Sequence, residues 1–124
     1  MNLIDSYGWI EYFTDGPLAD KYAPYLLNAN EKNTVTPSIV VYEVYKRLKK
    51  EKGEEVALEA SAQIMRTQVI PLDEESALRA ADISLGHDLA MADAIVYSTA
   101  KTYSAQLVTS DSHLKNLKGT RFIE

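Results

Sequence analysis

Apolar positions along this chain follow two rhythms that alternate from end to end: short unbroken runs, and longer stretches spaced by three and four. Asn2-Leu-Ile-Asp5 is a short apolar run closed by an acid, as in a buried strand reaching the edge of a sheet. Trp9, Ile10 and Phe13 then fall at helical spacing within Ser6–Phe13. Asp15-Gly-Pro17 stops that helix, and Leu18–Asn28 starts another, which Pro24 is expected to split. After a turn at residues 30–33, Val35-Thr36 makes a minimal strand. Thr36 then offers a hydroxyl cap with Pro37 at the first helical position. The helix so begun runs to about Glu51 and presents Val40, Val41, Val44, Tyr45 and Leu48 on one face. Gly53 interrupts, and Glu54–Thr67 is a further amphipathic helix with Leu58, Ile64 and Met65 available for the core. Val69–Leu72 reads as a strand. Asp73 caps the next helix, with Glu74 and Glu75 in its first turn, and that helix ends near Gly86. Ala105–Thr109 is a strand, Ser112–Leu117 a short helix, Lys118-Gly119 a turn and Thr120–Ile123 a last strand.

The stretch Leu89–Ala100 departs from both rhythms. Alanines and large apolar side chains surround a single charge, Asp93, so the pattern predicts a helix buried nearly all round. An ionised carboxylate in such a wall costs several kcal/mol unless it is paired or coordinates a metal. No Lys or Arg occurs from Gly86 to Ala100. The alternative is a first-turn carboxylate facing free N–H groups, and the stretch alone leaves both readings open.

Strands alternating with helices predict an α/β fold with a mostly parallel sheet covered on both faces. Ligands in such folds bind beyond the carboxyl ends of the strands, where strand order reverses. Asp5 ends the first strand, Asp111 follows the strand at 105–109, and Glu43 lies in the first two turns of the helix leaving the second strand. Topology therefore brings these three acids to one edge. Whether Asp93 joins them depends on the tilt of its helix. The ordinary reading of Glu43 is a surface pair with Lys46 or Arg47.

Composition narrows the chemistry. At 124 residues, 46% of them hydrophobic and 25% charged, the chain is expected to form one domain over residues 1–124. The absence of cysteine excludes disulfides, thiolate zinc sites and thiol nucleophiles. No signal peptide or membrane-length apolar run is visible, so a cytoplasmic protein with no membrane partner is expected. A net charge of −5 argues against nucleic acid, unless divalent cations neutralise several of the acids. The basic run Lys46–Lys52 suits the carboxyl end of its helix dipole, with nucleic-acid contact as the second reading, together with Arg121. His113 is read as a surface residue making local hydrogen bonds. The tyrosines are read as core edges or a dimer surface more readily than as base-stacking rings.

Four segments in order carry a resemblance: residues 2–13 (NLIDSYGWIEYF), 36–44 (TPSIVVYEV), 91–96 (MADAIV) and 107–117 (LVTSDSHLKNL). They look like the four motifs of PIN-domain ribonucleases, and at this length the chain most resembles the VapC-type toxins of toxin–antitoxin pairs. Carried over position by position, Asp5, Glu43, Asp93 and Asp111 match the family's acidic quartet, and Ser6 and Thr109 match hydroxyl positions beside it. Tyr7-Gly8 departs from the small residue and varied residue usual after Ser6, which bears on how the first helix starts. The resemblance implies a PIN-like three-layer sandwich and a metal-dependent endoribonuclease acting on single-stranded RNA. It also implies a homodimer and a VapB-like antitoxin whose basic tail covers the acids. An RNA-maturation nuclease and a non-catalytic PIN-fold binding module are the alternatives; modules of the second kind commonly lose acids that are all present here. Mg²⁺ or Mn²⁺ is the expected cofactor, since hard cations take carboxylate and water oxygens. Asp5, Glu43 and Asp93 would hold the main ion, and Asp111 a weaker one or the attacking water.

Overall fold

Five parallel strands and six α-helices alternate through residues 1–124, all of which are described by a computed structural model. In order they are β1 (Asn2–Ile4), α1 (Ser6–Phe13), α2 (Ala19–Leu27), β2 (Val35–Pro37), α3 (Ser38–Lys52) and α4 (Glu54–Ile64). There follow β3 (Gln68–Ile70), α5 (Glu74–His87), α6 (Met91–Thr102), β4 (Gln106–Thr109), a 3₁₀ turn (Ser112–Leu114) and β5 (Thr120–Phe122). β1 pairs with β4 and β4 with β5, while β2 pairs with β3. A parallel bridge from Asn2 to Thr34 joins the two groups, giving the spatial order β3-β2-β1-β4-β5. Strand order reverses between β1 and β4, so the crevice beyond their carboxyl ends is the switch point.

The strands are apolar on both faces because helices cover both faces. Leu3 and Ile4 of β1 and Leu107 and Val108 of β4 are fully buried, at the centre of a cluster that includes Trp9, Tyr22, Leu48 and Ile64. Helix α6 is the buried wall that the sequence predicts: every residue from Ala94 to Ala100 is buried, although the helix starts at Met91 and runs on to Thr102. No helix is long and apolar enough to cross a membrane.

Several local expectations are corrected. Thr36 does not cap α3. It lies inside β2, its hydroxyl bonds Thr67 Oγ1 at 2.7 Å, and extended Pro37 is the residue before the first helical turn. Pairing with β3 draws residues 35–37 into the sheet and wins over local capping. Helix α4 stops at Ile64 because Thr67 turns its hydroxyl back onto the Ile64 carbonyl and the chain enters β3 at Gln68, ahead of the expected strand. Leu58 and Met65 are 53% and 57% exposed, so neither fills the core; Ala57, Ala60 and Ile64 form the buried stripe instead. Pro24 does not split α2, since one missing N–H is tolerated in a helix anchored through buried Tyr22 and Leu26. Asp73 caps α5 as expected, in a reciprocal capping box with Ser76.

Gly8 accounts for the departure at the start of α1. A Cβ there would lie 2.7 Å from Ile4 Cγ2 and from the Tyr22 ring. Glycine thus lets α1 begin directly at Ser6 and rest on β1 and α2.

Candidate functional site

The site is built from the carboxyl edge outward. Asp5 leaves β1 with extended backbone and caps α1, its Oδ1 accepting the Ser6 N–H at 2.7 Å. Its other oxygen, Oδ2, accepts the Thr109 hydroxyl at 2.9 Å, and Thr109 Oγ1 in turn accepts the Asp111 N–H at 3.0 Å. This relay ties the ends of β1 and β4 together across the switch point. Asp5, Thr109 and Asp111 are 3%, 0% and 7% exposed. Asp111 caps the 3₁₀ turn, with Oδ1 accepting the His113 N–H at 2.9 Å and lying 2.9 Å from His113 Nδ1.

Asp93 enters from the first turn of α6, half-buried. One side-chain ligand atom each from Asp93, Asp111 and His113 lies within 4.8 Å of the others. Asp93 sits in the first turn of α6 and makes no capping hydrogen bond there; its carboxylate lies near Asp111 instead. Glu43 stands half-buried on α3, near Ser6. Its expected surface pairing does not form, because Arg47 binds Glu51 at 2.6 Å and Lys46 reaches the Tyr42 hydroxyl at 3.3 Å.

No Lys or Arg pairs with any of the four acids; their one basic contact is the exposed His113 ring on Asp111. The electrostatic result is that Asp5, Glu43 and Asp93 hold protons unusually well. Burial pushes Asp5 up to about 6, against the lowering pull of Thr109 and Ser6, with Glu43 and Asp111 adding to the rise. Asp93 is also raised to about 6, by burial first and then by the neighbouring Asp111 charge. Glu43 is raised by burial, then by Asp93 and Asp111. The Tyr7 phenol is raised by burial and by all four acids.

The structure brings Asp93 and Asp111 together with His113 and links Asp5 to Asp111 through Thr109, while Glu43 is tied to the other acids by charge alone. Ser6 contributes its backbone N–H to Asp5. His113 makes the local hydrogen bonds expected of it, and one contributor, Tyr22, is missed by sequence reasoning. His113 turns back onto Asp111 because a capping Asp draws in the residue two positions on, a signal present in the Asp-Ser-His spacing. Tyr22, read only as part of a helix, donates its hydroxyl to Ser110 Oγ at 2.7 Å and so braces the segment between Thr109 and Asp111. A cluster of unpaired carboxylates with hard oxygen donors suits a divalent cation by its donor chemistry.

A parallel α/β sheet with carboxylates gathered at its switch point defines the class of the fold. Residues 3–119 match the PIN domain family, and the chain belongs to it. Among solved structures, the chain is similar to a toxin–antitoxin complex from Klebsiella pneumoniae, at 20% identity and a TM-score of 0.79 over 98% of this chain and 96% of that one. It is similar also to VapC20 of Mycobacterium tuberculosis, a sarcin–ricin-loop-cleaving toxin, at 14% identity and a TM-score of 0.82 over 100% of both chains. A third likeness is to DNA-bound VapBC from Salmonella typhimurium, at 17% identity and a TM-score of 0.72 over 98% of this chain and 97% of that one. At these identities the likeness is one of fold. Curated protein sequences contain no significant match.

Proposed function

We propose that this chain is a metal-dependent endoribonuclease acting on single-stranded RNA, and the toxin of a toxin–antitoxin pair. The observation that carries the reading is the group of carboxylates at the switch point, unmatched by any Lys or Arg, of which Asp5, Glu43 and Asp93 are raised in proton affinity. Structural neighbours that are toxins or toxin–antitoxin complexes support the biological role. A VapB-like antitoxin, a homodimeric state and a cytoplasmic setting belong to the same proposal.

In this reading Asp5, Glu43 and Asp93 hold Mg²⁺ or Mn²⁺, directly or through water, and Asp111 holds a weaker ion or orients the attacking water. A bound divalent ion supplies charge neutralisation at the phosphodiester, a more acidic water and stabilisation of the leaving oxygen. The protein's own contribution is positioning. Thr109 fixes the rotamer of Asp5 and, through the Asp111 backbone, the depth of the second carboxylate. The Ser6 N–H holds the other Asp5 oxygen at the start of α1. His113 sits at the outer, exposed side of Asp111, with its ring nitrogen against the carboxylate.

The test is cleavage of labelled single-stranded RNA with Mg²⁺ or Mn²⁺, with EDTA and Asp93→Asn as controls. Cleavage abolished by both controls is the expected result. Folded protein that binds no Mn²⁺ and cuts no RNA would sink the proposal.

A further inference from the structure

The basic run that closes α3 is split by the structure. Glu43, Lys46, Arg47 and Lys50 follow one another at i, i+3, i+4 and i+7 and so share a stripe of the helix. Lys49 is turned away, its ammonium 5.4 Å from the centre of the Tyr45 ring and 3.9 Å from Glu54. The stripe forms one wall of an open groove of about 530 Å³ between α1 and α3. Ser6 and Glu43 are among its lining, so the groove adjoins the acids through Glu43 and through the Ser6 backbone that holds Asp5. Tyr7, 48% exposed, stands on the α1 side at that junction, and Tyr42 lies across from it on α3. The dipole of α3 explains cations in its last turn, including Lys50, but not Lys46 and Arg47, which lie earlier in the helix.

We propose that this groove is a binding track for the nucleotides on one side of the scissile phosphate, with Lys46, Arg47 and Lys50 along the backbone and Tyr7 as the base-stacking platform at the junction. The inference rests on the nuclease reading and adds a substrate path to it. Cations alternating with exposed rings are the chemistry that holds single strands, and every base offers a face to stack. At a rise of about 1.5 Å per residue the stripe extends roughly 10 Å from Glu43 to Lys50. Arg47 is free to serve, because its partner Glu51 is an exposed neighbour one turn away. Glu11 also lines the groove, but its carboxylate accepts the Leu18 N–H at 2.7 Å and is held in the loop after α1. Charge distinguishes the occupant. A basic peptide would be attracted by the acids and repelled by the stripe, and an acidic peptide the reverse. A phosphodiester chain is drawn by the stripe and by cation-loaded acids alike.

The test is fluorescence anisotropy of a labelled oligouridylate across a range of salt, in the Asp93→Asn background so that the strand is not consumed. Lys46→Gln/Arg47→Gln/Lys50→Gln is expected to flatten the slope of log K against log salt by about 2, at roughly 0.7 per lost contact. Tyr7→Leu is expected to weaken binding roughly 5- to 150-fold with the slope unchanged. Lys32→Gln/Lys101→Gln/Lys118→Gln removes the same charge elsewhere and is expected to leave most of the slope. Equal losses in the two triple variants, or none in the groove triple, would overturn the track while leaving RNA cleavage by the native chain intact. A native chain that neither binds nor cuts RNA would remove the nuclease reading and the track with it.

Discussion

Thr109 Oγ1 lies 2.9 Å from Asp5 Oδ2, joining the ends of two strands that are far apart in the chain and adjacent in the sheet. One hydroxyl donates to the carboxylate that starts the first helix and accepts from the backbone of the residue that carries another. The bond is wholly buried, and it makes the relative position of Asp5 and Asp111 a property of the sheet.

Thr109→Val keeps the shape and removes both bonds. It strands the Asp111 N–H and one Asp5 oxygen, so unfolding in urea is expected to show a loss of about 1–3 kcal/mol. Mn²⁺ affinity is expected to fall roughly 10- to 100-fold, as for other groups that orient ligands. Thr109→Ser, which retains the hydroxyl, is expected to recover most of both. Full Mn²⁺ affinity in the valine variant would show that the relay does not position Asp5.

The metal-free protein is expected to lose stability as pH rises from about 4 to about 7. Asp5 has a folded value near 6 against an ordinary 3.8, so between those values the folded state binds more protons than the unfolded one. Stability then falls with rising pH, by about 3 kcal/mol for a shift of roughly two units at a fully buried group. Asp93 adds to the slope in the same direction, discounted because it is half exposed to solvent. Urea unfolding in EDTA across this range, compared with Asp5→Asn, isolates the contribution. Saturating Mn²⁺ is expected to flatten or reverse the slope, and a slope identical in wild type and Asp5→Asn would refute the assignment.

Asp93→Asn separates catalysis from folding. It removes one of the crowded negative charges, so the melting temperature in EDTA is expected to stay level or rise. Cleavage is expected to drop by about 100-fold or more, since an ion worth several kcal/mol at the transition state loses a ligand. A variant that is both unstable and inactive would instead mark Asp93 as a structural partner of α6.

Gly8→Ala sets helix propensity against packing. Alanine favours a helix interior by about 1 kcal/mol. The added methyl would meet Ile4 and the Tyr22 ring at 2.7 Å, a clash that costs about 1–3 kcal/mol. Net destabilisation in urea is expected, together with weaker Mn²⁺ binding, because α1 carries the Ser6 N–H that holds the Asp5 carboxylate. A net gain in stability would mean that α1 shifts freely.

Much of this protein is legible along the chain. The alternation of short apolar runs with helical spacing dictates a parallel α/β fold, because each pattern reports how many faces of its element are covered. The lone charge in Leu89–Ala100 and the acids that close or follow strands at Asp5 and Asp111 mark the site, since carboxylates in such places require a partner. Errors fall where a residue's partner is remote in sequence. Thr36 has the composition of a cap, and its hydroxyl is taken by Thr67 when β2 meets β3. Met65 has the composition of core and faces solvent, because α4 turns its alanines inward to approach its neighbours closely. Only the tertiary structure decided that α6 brings Asp93 beside Asp111, and that Lys46, Arg47 and Lys50 line a groove while Lys49 does not. Local pattern reports which side of an element is buried. What lies against that side is set by packing between elements, and it is there that separate acids become one site.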